Sequence, residues 1–400
     1  MTAALILIAS LLAAGGLLLP RVRNSPSWRA TVTPLASIIG SGFLVLGPIL
    51  SENYGKFAPL VMVALCAAAY AFGSAIRFNI SALDETPARP ATEKRLETAA
   101  SWALAFAYCV SVAYYLNLFG AFLVKMTPLN SAANAKLATS AALIFILVMG
   151  WMKGFAAMER MEQITVSVKL AIIVGLLAGL SLFFGKQAAQ DALIFDAPTQ
   201  SGWPAVAMAF GLIVTVQGFE TSRYLGEEYS AAMRRRTMQY AQWISTGIYL
   251  LYVLLLTFTL DVSGHALSET AIVELTVDIS IILPVMLVVA ALAAQFSAAV
   301  ADTSGAGGLA EELTRGRLPA RAAYVMLILI GLGLTWFVDI FEIITFASRA
   351  FALYYCLQCA IAARTALAYP RDRMRGVFYL ALSALALAIV FLGKSVEGGG

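Results

Sequence analysis

In one of the most apolar parts of the chain, the stretch SIIGSGFLVLGPIL at residues 37–50 gathers Gly40, Ser41, Gly42, Gly47 and Pro48. Glycine relaxes the backbone and proline removes an N–H, so both loosen or end a helix. Two readings follow. Small residues let helices pack closely inside a membrane. Alternatively the helix breaks near Gly40 to Gly42, and its freed backbone groups are tolerated because they line a cavity or meet a ligand. A helix N-terminus exposed there would attract a carboxylate.

A second interruption favours the break. Five predicted helices later, Gln217, Gly218, Phe219, Glu220, Thr221 and Ser222 interrupt the apolar run that starts near Trp203. Membrane proteins built from inverted repeats pair such broken helices at the bilayer midplane. Glu220 falls at this second break, and a carboxyl inside a span costs about 2.5–3.5 kcal/mol on insertion scales. It is expected either to carry a proton or to hold backbone groups freed by the break.

Other polar residues stand out in apolar surroundings. Lys169 lies about six residues, or ~9 Å, inside its helix, close enough to the end for its ammonium to snorkel. Asp302, Thr303 and Ser304 come late in AQFSAAVADTSGAGG, with Ser297 earlier; Asp302 is expected either as a helix-end carboxylate in water or as an acid at the cytoplasmic mouth. Ser111, Tyr114, Tyr115 and Asn117 share one stretch, where a tyrosine is an interface anchor or, with Ser111, a pocket group. Arg349 and Glu342 are seven apart, on one helical face, and are expected to pair. His265, the single histidine, falls in a loop.

These residues need a membrane to position them. Sixty per cent of the 400 residues are hydrophobic and 12% are charged, against roughly 25% charged in soluble domains. A span takes about 20 apolar residues. Twelve candidates lie near 3–20, 31–50, 58–78, 100–124, 136–153, 164–185, 203–222, 238–260, 280–302, 322–338, 342–364 and 375–394. The first lacks basic residues before it and a small-residue cleavage site, so it is expected to be retained. With loops on alternating sides, twenty Lys and Arg residues fall in one set and five in the other, which puts both termini outside the cytoplasm. The basic excess therefore orients the chain, and no nucleic-acid partner is expected.

Cys66, Cys109, Cys356 and Cys359 all lie in apolar segments, where they read as small packing residues. No phosphate loop of the G-x-x-x-x-G-K-[ST] type occurs, so ATP is not expected to drive the protein. No metal cluster or nucleophile motif points to an enzyme or to a cofactor.

The residues IIGSGFL (38–44), ITVSVKLAIIVGLL (164–177) and QGFETSRYLGEEYSAAMRRR (217–236) resemble the first, fifth and sixth core helices of the amino acid-polyamine-organocation (APC) transporter superfamily. The resemblance covers roughly 31–365. It implies an all-α integral membrane protein with a five-plus-five inverted-repeat, LeuT-type bundle. An extra transmembrane helix and loop would fill 1–30, the repeats 31–201 and 202–366, and a last helix and tail 367–400. The extra first helix departs from the usual arrangement. Glu227 and Glu228 match the family's acidic pair after the sixth helix, without the proline that usually follows.

The resemblance implies a small-molecule substrate held between the breaks, an amino acid or related amine. Backbone N–H groups of Ser41, Gly42 and Phe43 would bind its carboxylate. Carbonyls of about Val214, Thr215 and Gln217 would take its ammonium, and Phe219 would gate or line the pocket. Lys169 would occupy the place where sodium-coupled relatives hold Na⁺, implying coupling to protons or exchange. Thr303 and Ser304, or Ser297, resemble the hydroxyls that complete a sodium site and would argue the opposite. A symporter of another small solute, and a membrane sensor or assembly subunit that moves nothing, remain as alternatives. The expected setting is a plasma (inner) membrane of bacterial type.

Overall fold

The structure, a computed structural model, describes residues 2–40, 42–85, 90–153, 155–225, 229–262 and 268–395, with backbone alone at 83–85, 153 and 155–164. Ser41, Glu227, Glu228 and His265 lie outside the described residues. Every regular element described is helical. In order these are α1 (Thr2–Leu18), α2 (Pro20–Arg23), α3 (Pro26–Ile38), α4 (Gly42–Tyr54), α5 (Ala58–Glu85), α6 (Ala91–Lys125), α7 (Ala132–Lys153) and α8 (Phe155–Ala189). After them come α9 (Gly202–Gly211), α10 (Ala231–Thr257), α11 (Ala271–Leu275), α12 (Leu283–Leu313), α13 (Ala320–Phe337), α14 (Ile340–Leu367) and α15 (Arg373–Leu392). Two short 3₁₀ segments, Ile213–Val216 and Phe219–Tyr224, continue α9.

Each of the twelve expected spans has a counterpart. Among the described residues nine helices are long and apolar enough to cross a membrane. The others are α1, an apolar helix of 17 residues, and the two interrupted segments, α3 leading into α4, which runs on into α5 within one of the nine, and α9 followed by its 3₁₀ turns. The polar stretch at 81–97, between the expected spans 58–78 and 100–124, is mostly helix: α5 runs on to Glu85 and α6 begins at Ala91.

Sequence explains the ends of these elements locally. Ser25 caps α3 by accepting the Trp28 N–H at 3.5 Å, with Pro26 at the first helical position, where the missing N–H is harmless. Inside α4, Pro48 cannot donate to the carbonyl of Leu44. The Tyr252 hydroxyl of α10 takes that carbonyl instead, at 3.0 Å. Gly47 makes room for it, since a Cβ there would fall 2.7 Å from the Tyr252 ring.

Packing builds a scaffold around the interrupted segments. α6 lies against α7, α12 and α14, and α12 also meets α8 and α13. The other group is α3 and α5, both packed on α10. α1 docks outside on α8 through small residues. Cβ atoms added at Gly175 and Gly179 would strike Ser10 and Ile6, so this G-x-x-x-G ridge lets the two backbones come close. The charge expected at the helix ends is partly tied down: Lys125 meets Glu274 of α11 at 2.6 Å, and Arg223 pairs with Glu97.

Candidate functional site

Both expected breaks are present, and they touch each other. α3 stops at Ile38 and α4 starts at Gly42. A Cβ on Gly42 would fall 2.7 Å from the Cβ of Thr215 and 2.8 Å from its Cα. Gly218, at φ +116°, would carry its Cβ within 2.6 Å of Ser37. Only glycine takes such a backbone at no steric cost, so at both crossings the two interrupted segments lie backbone to backbone. A ligand between them requires the breaks to part.

The second break begins earlier than the sequence suggests. Regular α-helix ends at Gly211, six residues before Gln217, because Ser348 of α14 inserts there. Its hydroxyl donates to the Gly211 carbonyl at 2.6 Å and accepts the Val214 N–H at 3.1 Å. Tyr249 of α10 places its hydroxyl 2.7 Å from the Thr215 carbonyl and 2.9 Å from that of Ile38, so one phenol spans both breaks. Gln217 donates to the Tyr115 hydroxyl at 2.9 Å, while its own Oε1 has no partner. Phe219 is fully buried and stacks on Tyr355 at 5.2 Å. Tyr355 in turn stacks on Phe72.

Glu220 is completely buried. One carboxyl oxygen accepts from the Gly218 N–H and from the Tyr355 hydroxyl, each at 3.0 Å; the other has no partner. The carboxyl thus bonds the backbone of its own break.

Lys169 does not snorkel. It is 1% exposed, and its Nζ donates to the Ala36 carbonyl at 2.6 Å. Ala36 is in the last turn of α3, where the helix dipole favours a cation. The ammonium shares a cavity with Ile39, Gly40, Phe43 and Leu44 of the first break and with Leu287, Ala290, Ala291, Ala294 and Gln295 of α12. Thr303 is eight residues beyond Gln295, or ~12 Å along the helix. Ser297 and Thr303 donate back to their own helix, at Ala294 and Ala299. The wall facing Lys169 is therefore alanine, leucine and an amide, with the three candidate hydroxyls further along α12.

Three expectations need correction. Asp302 is not a helix-end carboxylate in water. α12 continues to Leu313, and Asp302 is 1% exposed and accepts from the Ser111 hydroxyl of α6. Arg349 does not pair with Glu342, which points outward; it donates to the Gly393 carbonyl at 2.6 Å, because α15 returns beside α14. Neither Tyr114 nor Tyr115 anchors an interface, since both are buried at 1% and 2% exposure. Gln295, Tyr249 and Ser348 went unmarked at the level of sequence. A lone amide in the run LVVAALAAQFSAAVA was a visible signal for Gln295. Tyr249 and Ser348 had none: the carbonyls of Ile38 and Gly211 that they close lie more than a hundred residues away.

Broken helices meeting at mid-bundle, one of them holding a buried ammonium, are features of a membrane transporter, and comparison with known proteins agrees. A family model described as APC superfamily transporter matches residues 20–393; the chain belongs to that superfamily. An uncharacterized protein of Aquifex aeolicus (strain VF5) is 38% identical over 390 residues, covering 94% of this chain and 93% of its own. Among solved structures, MHP1, a nucleobase-cation-symport-1 family transporter in a closed conformation with bromovinylhydantoin bound, superposes with a TM-score of 0.57. It shares 14% identity, and the match covers 91% of this chain and 92% of that one. The protein is a multi-pass membrane transporter of the APC superfamily with a LeuT-type fold.

Proposed function

We propose that the protein is a secondary active transporter of an amino acid or a related organic amine, working without Na⁺ and driven by protons or by exchange. The supporting observation is the Lys169 ammonium, buried and bonded to the Ala36 carbonyl at the end of α3. A fixed positive charge and a bound Na⁺ repel each other strongly at short range in a low-dielectric interior. Substrate would enter as the breaks part, with its carboxylate on the N-terminus of α4, at Ser41, Gly42 and Phe43. Its ammonium would meet the carbonyls of Val214, Thr215 and Gln217, of which Thr215 is now held by Tyr249. Phe219 would line the side-chain pocket and Glu220 would carry the proton. Ser297, Thr303 and Ser304 are assigned a structural part. The scheme assumes repeats at 31–201 and 202–366, a plasma membrane setting and both termini outside the cytoplasm.

A second reading, a cation-coupled symporter of some other small solute, draws on the bound hydantoin in MHP1. The unpartnered amide oxygen of Gln217 favours it as well, since such an oxygen suits a ring N–H. Uptake of a panel of radiolabelled amino acids into proteoliposomes, with and without Na⁺ and with an inward proton gradient, separates the two. Amino acid uptake that ignores Na⁺ and follows pH is expected. Uptake only with Na⁺, or none for any amino acid by folded protein, overturns the proposal.

A further inference from the structure

Midway along α12, Gln295 is fully buried, and among the described residues neither its Oε1 nor its Nε2 has a hydrogen-bond partner. Leaving a buried polar group unpaired costs about 1–3 kcal/mol, whereas an apolar side chain of the same shape has no such cost. An amide kept for the fold alone would be bonded in the folded state. The neighbours of this one suggest a use in another state. It faces the cavity of ≈ 10 Å³ that it shares with Gly40, Phe43, Leu44 and Lys169, room for about one water.

The Lys169 ammonium already occupies the Ala36 carbonyl at the end of α3, and two positive features border the space that is left. Lys169 contributes an ammonium. The start of α4 turns its first N–H groups and the positive end of its dipole toward the break. A cation would be repelled by both; an anion would be welcomed by both, and the Gln295 Nε2 adds a directed donor opposite them. The rest of the lining is alanine, leucine, isoleucine and phenylalanine, which strengthens any charge-assisted hydrogen bond made there.

We infer that Gln295 is a substrate-reading residue: as the breaks part and the cavity widens, its Nε2 donates to the carboxylate of the substrate at the N-terminus of α4. The inference rests on the proposal that the substrate is an amino acid. It adds a side-chain contact from the scaffold helix α12 to a carboxylate otherwise held by backbone. With the breaks in contact the amide is unsatisfied, and binding relieves that cost at Nε2, so part of the affinity for a carboxylate is stored in the fold.

The test uses full-length protein in proteoliposomes. The probe is the radiolabelled amino acid that wild-type protein takes up fastest, with its carboxamide as unlabelled competitor. Gln295→Met keeps the length and removes both polar atoms. It is expected to raise KM at least about tenfold, ~1.4 kcal/mol of binding, with kcat nearly kept. The preference for carboxylate over carboxamide should narrow by a similar factor, and the melting temperature of ligand-free protein should not fall. Gln295→Glu keeps the shape and presents a carboxyl, and should narrow the preference for carboxylate over carboxamide at least as far, a change in selectivity that a residue only filling space does not produce. An unchanged KM in Gln295→Met overturns the inference. So does a lower melting temperature in both variants with the carboxylate preference intact, which marks a structural amide. Wild-type protein that takes up no amino acid overturns the parent proposal and this one with it. Wild-type uptake beside an unaffected Gln295→Met overturns this one alone.

Discussion

The two breaks solve one problem with opposite charges. At the first, the freed groups nearest the interruption are carbonyls at the end of α3, and a cation meets them: Lys169 takes the carbonyl of Ala36. At the second, a freed N–H at Gly218 meets an acid, Glu220. The neutral hydroxyls of Ser348 and Tyr249 close what remains. Each break therefore carries the charge that its own backbone ends favour. The supports also differ in origin. Lys169 reaches in from α8, which packs against α12 and the outer helix α1; Glu220 belongs to the broken segment itself. The first break is tied to the scaffold by its charge, while the second bears its charge on its own segment. That difference suits Lys169 to a fixed role and Glu220 to a travelling one.

Substitutions that neutralise each charge should separate these roles. Lys169→Met removes the donor to Ala36 and leaves a carbonyl unpaired in the bundle. Uptake in proteoliposomes should fall by roughly a hundredfold, ~2.7 kcal/mol, at every pH tested. Glu220→Gln preserves hydrogen bonding and removes ionisation. Its uptake should fall about tenfold and lose its dependence on external pH, where wild-type uptake rises as the outside is acidified. Equal pH profiles for Glu220→Gln and wild type would sink the travelling role.

Two further changes act on the contact between the breaks. Gly218→Ala forces a Cβ against Ser37 at a backbone of φ +116°, so unfolding in detergent should come earlier by about 1–3 kcal/mol. Ser348→Ala uncovers the Gly211 carbonyl and the Val214 N–H together. A loss of about 1–2 kcal/mol is expected, read as a lower melting temperature with the helix content unchanged. A Ser348→Ala protein as stable as wild type would mean that water replaces the hydroxyl, and that the second break is less tightly closed than the first.

Much of this arrangement was legible in the chain. Spans follow from runs of apolar residues, and breaks from clusters of Gly and Pro where lipid forbids loose backbone, so the Gly40 to Gly42 and Gln217 to Gly218 interruptions could be placed from local pattern. What closes them could not. Ser348 and Tyr249 are ordinary residues in their own helices, and they matter through carbonyls that only the packed bundle brings near. Asp302 misled for the same reason: its depth depends on how far α12 continues and on Ser111 from α6, neither of which periodicity reveals. Lys169 was noticed as a charge in a span, yet whether it snorkels or turns inward is decided by the end of α3, more than a hundred residues away.

The central claim is that the Lys169 ammonium stands where a coupling Na⁺ would otherwise bind, and the most direct measurement is a sodium titration of initial uptake rate. Wild-type proteoliposomes would carry a fixed inward proton gradient, with choline replacing Na⁺ at constant ionic strength. The account predicts one rate at all Na⁺ concentrations, including none. A rate that vanishes without Na⁺ and saturates with it would contradict the account.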